Sequence, residues 1–155
     1  MSMGSKISRA HMADITEKSA IYREAIAMGK IRLQPETIRL IKERKTVKGD
    51  PFPVAEVAAV MAAKNTPQII PFCHPLLITD VEAQATLNAD SISVKVKVKT
   101  TGKTGVEMEA LTATAAYLLT LWDMVKTHEK DERGQYPNTA IEWIRVEKKK
   151  KRTLQ

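Results

Sequence analysis

The sequence predicts a single α+β domain in which helices pack on one face of an antiparallel sheet. Three observations carry this. Residues 81–98 alternate strictly between apolar and polar on either side of a short turn, the period of a half-buried hairpin. Residues 106–126 carry apolar side chains at helical spacing over several turns. A chain of 155 residues with 43% apolar and 28% charged side chains fits one globular core.

Residues 1–10, with Ser2, Gly4, Ser5 and Ser8 among them, show no period and are expected to form a flexible leader ahead of one domain over 11–147. In 21–33, Tyr22, Ile26 and Met28 suit either period and Gly29 argues for a break. Ile31 and Leu33 alternate, so a strand is expected in the second half. Pro35 suits the first position of a short helix with Ile38, Leu40 and Ile41 as its stripe, ending near Arg44. Asp50 ahead of Pro51 and Pro53 opens the next helix. Val54, Val57, Ala58, Met61 and Ala62 are expected on its buried side, with small alanines permitting close packing. Pro67 ends it, and Pro71 and Pro75 stiffen the segment around His74.

In the hairpin, Val81, Ala83, Ala85 and Leu87 face away from Glu82, Gln84 and Thr86. After a turn at 88–91, Ile92, Val94, Val96 and Val98 oppose Ser93, Lys95, Lys97 and Lys99, a lysine face expected to meet solvent. Thr104 and Glu107 have the spacing of a capping box at the start of the long helix. Leu111, Ala115, Leu118, Leu119 and Trp122 are its expected buried stripe. Gly134, Pro137 and Asn138 precede a last strand at 141–146, and 148–155 reads as a solvated basic tail.

The formal charge of +7 favours an anionic partner, and removing the five basic residues at 148–152 lowers it to about +2. A sheet platform for RNA needs stacking aromatics, yet aromatics are 5% of the chain and the hairpin has none, so no specific nucleic acid is expected. One cysteine precludes an internal disulfide, and no apolar run reaches the length of about 18 residues that a membrane span requires. A cytoplasmic location without membrane association is expected. Gly102-Lys103-Thr104 looks like the end of a P-loop, but Lys97 stands where that motif needs glycine. Cys73 and His74 are adjacent rather than spaced as a metal cage, and His11 and His128 join no ligand motif, so no metal is expected.

Other residues carry two readings. His74 is either a structural hydrogen-bonder or an imidazole held rigidly for proton transfer. Glu107 and Glu109 either complement a helix dipole or act in chemistry. Asp123 and Lys126, three apart, are a surface ion pair or a carboxylate that sets the protonation of a lysine.

Four segments read together are more specific. They are Lys48-Gly49-Asp50; Met61-Ala62-Ala63-Lys64 running on to Ile70-Pro71-Phe72-Cys73-His74-Pro75-Leu76; Thr101-Gly102-Lys103-Thr104-Gly105-Val106-Glu107-Met108-Glu109-Ala110-Leu111-Thr112; and Asp123-Met124-Val125-Lys126 with Lys130-Asp131. In order and spacing, over roughly residues 11–149, the chain resembles the molybdenum cofactor biosynthesis protein C family. His11, Asp14, Lys18 and Arg23-Glu24-Ala25 fit the same pattern. Phe72 stands where leucine is commoner, and the glycine-rich Lys-Ser-Gly-Gly ending of many relatives is replaced by Arg145-Val146-Glu147-Lys148-Lys149.

The resemblance implies a ferredoxin-like sandwich and a homohexamer built as a trimer of dimers. It implies a GTP-derived substrate, dihydro-GTP with its ribose bonded to the base, converted to cyclic pyranopterin monophosphate and diphosphate. Asp123 and Lys126 would be catalytic. Phe72, Cys73, His74, Glu107, Met108, Glu109, Arg23, Lys48 and Lys149 would bind substrate, with Lys148 the alternative to Lys149. No cofactor is expected; a divalent cation carried by the triphosphate is compatible with this reading but not required by it. If one straight helix holds both Glu109 and Asp123, they lie about 21 Å apart along its axis, too far for one pocket. A site shared between two subunits across a two-fold interface is therefore expected.

Overall fold

The computed structural model describes residues 9–155, so the leader expected over 1–10 lies outside them except for Arg9 and Ala10, which belong to no helix or strand. The elements in chain order are β1 (Ile21–Arg32), α1 (Pro35–Lys42), α2 (Pro51–Lys64), α3 (Thr66–Ile69), β2 (Ile78–Leu87), β3 (Ser91–Gly102), α4 (Glu107–Glu129) and β4 (Ala140–Arg152). The strands form one four-stranded antiparallel sheet in the order β2-β3-β1-β4, with α4 and α2 laid over it, a ferredoxin-like α+β sandwich.

The hairpin follows its alternation. Val81, Ala83, Ala85 and Leu87 stand opposite Val98, Val96, Val94 and Ile92, and this face joins the core. The lysine face is not left to solvent alone. Lys97 pairs with Glu82 at 2.7 Å, Lys99 with Asp80 at 3.0 Å and Lys95 with Glu147 at 3.4 Å.

β1 is strand throughout, not in its second half only. Ala25, Ala27 and Ile31 turn inward, and Gly29 is where α4 crosses most closely. A Cβ there would lie 2.6 Å from Leu118 Cδ1 and 3.0 Å from Thr114 Cγ2. The glycine therefore marks a close helix–strand approach and breaks nothing.

Two helix faces differ from expectation. α2 buries Ala55, Ala59, Ala62 and Ala63, while Val57 is 60% and Met61 58% exposed, and Val54 is also exposed. α4 buries Ala110, Ala113, Thr114, Tyr117, Leu118, Leu121 and Val125. Of the expected stripe, Leu118 is buried, Leu111, Ala115 and Trp122 are half-buried, and Leu119 is 59% exposed. The reason is steric: α2 and α4 lie against each other through alanines, which permit a short interaxial distance, and the larger apolar side chains are left outside.

The capping box does not form. Val106 is the N-cap of α4 without a side-chain cap, and the Glu107 carboxylate turns instead to Lys149. The expected boundary between domain and tail at 147/148 falls inside β4, which pairs with β1 as far as Tyr22 opposite Arg152. A run of Lys and Arg shows no alternation, so its pairing cannot be read from pattern; on an edge strand, lysines also discourage further strand addition.

Glu129, fully buried, ties the far end of α4 to its surroundings. Its carboxylate accepts from Gln34 N at 3.1 Å, from the Thr37 hydroxyl, and from Thr139 Oγ1 at 2.7 Å. Among the described residues no helix is long and apolar enough to cross a membrane.

Candidate active site

α4 presents a cluster of candidate residues at each end. At its N-terminal end, Glu107, Met108 and Glu109 meet the stiff segment bearing Phe72, Cys73 and His74 around a cavity of about 260 Å³. Residues Ala13, Ile15 and Lys18 close one side. That coil is held by two bonds: His74 Nε2 lies 2.7 Å from the Ala13 carbonyl and Lys103 Nζ donates to Thr16 O at 2.9 Å. A carbonyl only accepts, so Nε2 carries a proton and donates to it.

The two glutamates differ in charge tendency. Glu109 is nearly enclosed, and burial pushes its carboxyl above the usual range, aided by the charge of Glu107. Burial acts in the same direction on Glu107, but Lys149 Nζ at 2.8 Å and the nearby Arg23 outweigh it and hold that carboxyl low. The Cys73 thiol is pushed up by burial and by Glu109, so it resists becoming a thiolate.

Beside this cavity, and sharing Gly105 and Glu107 with it, a groove of about 220 Å³ contains Arg23 and the end of β4. Arg23 is fixed by donating from Nε to Gly102 O at 3.0 Å and from Nη2 to Lys103 O at 3.3 Å. Lys149 rather than Lys148 belongs here: Lys149 stands opposite Ala25, a helix-side residue, and Lys148 opposite Ile26 on the other face.

At the C-terminal end of α4, Lys126 Nζ lies 2.9 Å from Asp123 Oδ1 while Lys48 Nζ donates to Asp123 Oδ2 at 3.1 Å and to Asp123 O at 3.0 Å. Hydrogen bonds from Lys126 and then Lys48 lower the Asp123 pKa, and Asp123 raises that of Lys126. Lys48 comes from a tight loop in which Arg44 and Gly49 have φ of 56° and 90°. The loop is anchored by Thr46 Oγ1 donating to Gly49 O at 2.6 Å and Val47 N donating to His128 Nε2 at 3.1 Å. His128 and Glu129 were not singled out from the sequence as site residues, because neither belongs to a motif; their roles arise from neighbours some 80 to 95 residues away.

Within one chain the structure thus brings Phe72, Cys73, His74, Glu107, Met108 and Glu109 together, sets Arg23 and Lys149 beside them, and leaves Lys48, Asp123 and Lys126 at the opposite end of α4. Among the described residues no group of three or more His, Cys, Asp and Glu side chains is arranged to hold a metal ion.

A family model described as the MoaC family matches residues 12–152. A protein of Aeropyrum pernix named probable cyclic pyranopterin monophosphate synthase is 52% identical over 145 residues, covering 94% of this chain and 99% of its own length. One of the same name from Methanoregula boonei is 52% identical over 143 residues, 92% of each chain. A relative from Methanothermobacter thermautotrophicus, 50% identical over 143 residues with 92% of this chain and 90% of its own covered, is named probable cyclic pyranopterin monophosphate synthase accessory protein.

Proposed function

The chain belongs to the MoaC family, and from that premise we propose that it is a cyclic pyranopterin monophosphate synthase of molybdenum cofactor biosynthesis. It converts dihydro-GTP, cyclised between ribose and base, to cyclic pyranopterin monophosphate and diphosphate, as a phosphorus–oxygen lyase. A ribose oxygen replaces diphosphate on the innermost phosphorus, and the purine ring opens and recloses as a pterin. Each step moves protons, and the first releases anionic charge.

One observation supports this most: α4 carries a cavity with a buried acid and a cationic groove at one end and a lysine-carboxylate triad at the other. About 21 Å of helix separates Glu109 from Asp123. Between them Met108, Thr112, Ala115, Leu119 and Asp123 form a stripe at helical spacing that is exposed or half-buried. Antiparallel pairing of two such helices near Ala116 sets the Glu109 end of one subunit against the Asp123 end of the other. Small residues in the middle of the stripe permit the approach, and the uncovered Val57 and Met61 add apolar surface for assembly. Three such dimers make the homohexamer.

In the shared site, Arg23, Lys149 and Lys48 hold the polyphosphate. Phe72, Cys73 and Met108 line the ring, and His74 offers Nδ1 to it. Glu109, whose carboxyl burial pushes above the usual range, is the acid. Lys126 acts first as a proton donor, because Asp123 holds its ammonium charged; it accepts a proton only after giving one up.

Incubating the protein with the cyclised GTP intermediate should release diphosphate, and no release would refute the assignment. Mixing Glu109→Ala with Asp123→Ala subunits should restore part of the activity through one intact shared site. Recovery failing despite demonstrated subunit exchange would place the site within one chain.

A further inference from the structure

Resting on the synthase reading, we propose that Lys151 is a second polyphosphate-binding residue of β4, extending the grip of Lys149 toward the outer phosphoryl groups, and that its neighbour Lys148 takes no part. The argument lies in the register of β4. Ile144 and Val146 stand opposite Gly29 and Ala27, on the helix side of the sheet. The next pair is Lys148 with Ile26, so Glu147 is an inserted residue between Val146 and Lys148. A bulge of one residue inverts the alternation that follows it. An earlier shift at Glu142 leaves even-numbered residues facing the helices over residues 143–146, and odd-numbered ones do so after Glu147. Lys149 opposite Ala25 and Lys151 opposite Arg23 therefore share the helix side.

Side-chain contacts agree on both faces. Lys149 reaches Glu107 on the helix side at 2.8 Å. On the other face, Lys150 stands 4.0 Å from Glu24, and the Arg152 guanidinium lies 4.5 Å from the centre of the Tyr22 ring. Lys150 reaches the rim of the same groove, whereas Lys148 does not line it; without the bulge Lys148 would have stood on the helix side in place of Lys149.

The charges in the groove are unequally available. Arg23 is held by two carbonyls and Lys149 by Glu107, whereas Lys151 forms no ion pair with any described carboxylate. Lys149 and Lys151, two residues apart on one strand, are separated by about 6.6 Å along it. An anion with charge spread over linked phosphoryl groups can engage both at once, each ammonium on its own phosphoryl group. Because the groove joins the ring-sized cavity through Gly105 and Glu107, the ligand lies with its heterocycle near Phe72 and His74 and its phosphates running out along β4.

The test uses the full-length protein and inorganic tripolyphosphate, titrated calorimetrically against wild type, Lys151→Ala, Lys148→Ala and Lys151→Arg. Lys151→Ala should weaken binding by about tenfold, the size of one charge-assisted contact, and Lys148→Ala by less than about twofold. Lys151→Arg should restore most of the loss. Both alanine variants remove one positive charge, so general electrostatics predicts equal effects. Equal effects, or no binding of tripolyphosphate by the wild type, would overturn the proposal, provided the melting temperatures of the variants match. Turnover of the cyclised substrate is measured separately: its absence in the wild type refutes the synthase reading, while turnover alongside equal alanine effects refutes the role of Lys151 alone.

Discussion

The two ends of α4 use the same kinds of side chain to opposite effect. At the N-terminal end Glu109 is enclosed, and burial pushes its carboxyl up. At the C-terminal end Asp123 is exposed between two ammonium groups and its carboxyl is held down. A carboxyl pushed up by burial and a lysine whose ammonium form is favoured by its carboxylate partner thus stand at opposite ends of one helix, set apart by solvent access rather than by residue type. A rigid helix cannot bring them together within a chain, which is why the proposed site is shared between subunits.

The comparison breaks first if the exposed end is inert. Lys126→Ala should lower diphosphate release by about a thousandfold, the scale of a lost general acid, with an unchanged melting temperature. Near-normal turnover would reduce the triad to a surface ion pair.

The anchoring of that end can be tested next. Glu129→Ala leaves Gln34 N, Thr37 and Thr139 without their acceptor and should cost about 3 kcal/mol in urea unfolding. A loss below about 1 kcal/mol would show that the buried carboxylate does not hold the helix end.

His128 sharpens the contrast, since it acts through Lys48. His128→Ala removes the acceptor for Val47 N and should reduce kcat/KM by about tenfold while stability changes little. His128→Gln, which still offers an acceptor, should recover most of that; equal loss in both variants would sink the positioning role.

The smallest effect concerns the enclosed end. Because Glu109 has a raised pKa in the folded state, that state binds its proton more tightly than the unfolded chain does. Its contribution is fully present below the unfolded pKa and is lost as pH rises through the folded one. Glu109→Gln should therefore raise the melting temperature by a few degrees at neutral pH and barely alter it in acid, while lowering activity. A variant less stable than wild type at neutral pH would mean the carboxylate is paired after all.

Much of this molecule was legible beforehand. The hairpin announced itself because one face is buried and one is not, so alternation and environment agree. The motif segments bearing His74 and Glu109 come together at one end of α4, while Asp123 stands at the other. The faces of α2 and α4 were misread, because apolar periodicity does not say which of two apolar faces meets the core. Val57, Met61 and Leu119 carry the same signal as Leu118 and Leu121, and only the position of neighbouring elements separates them. β4 was cut short because five consecutive basic residues have no period to read.

By itself the sequence determined the local choices: which segments extend, which coil, and which chemical groups are carried. These follow from steric and hydration preferences acting over a few residues. Only the tertiary structure decided that Gly29 is a crossing point, that the bulge at Glu147 turns Lys149 toward Glu107, and that Glu109 and Asp123 stand at opposite ends of α4. Each depends on where a distant part of the chain comes to rest, and such distances are set by packing rather than by neighbours in sequence.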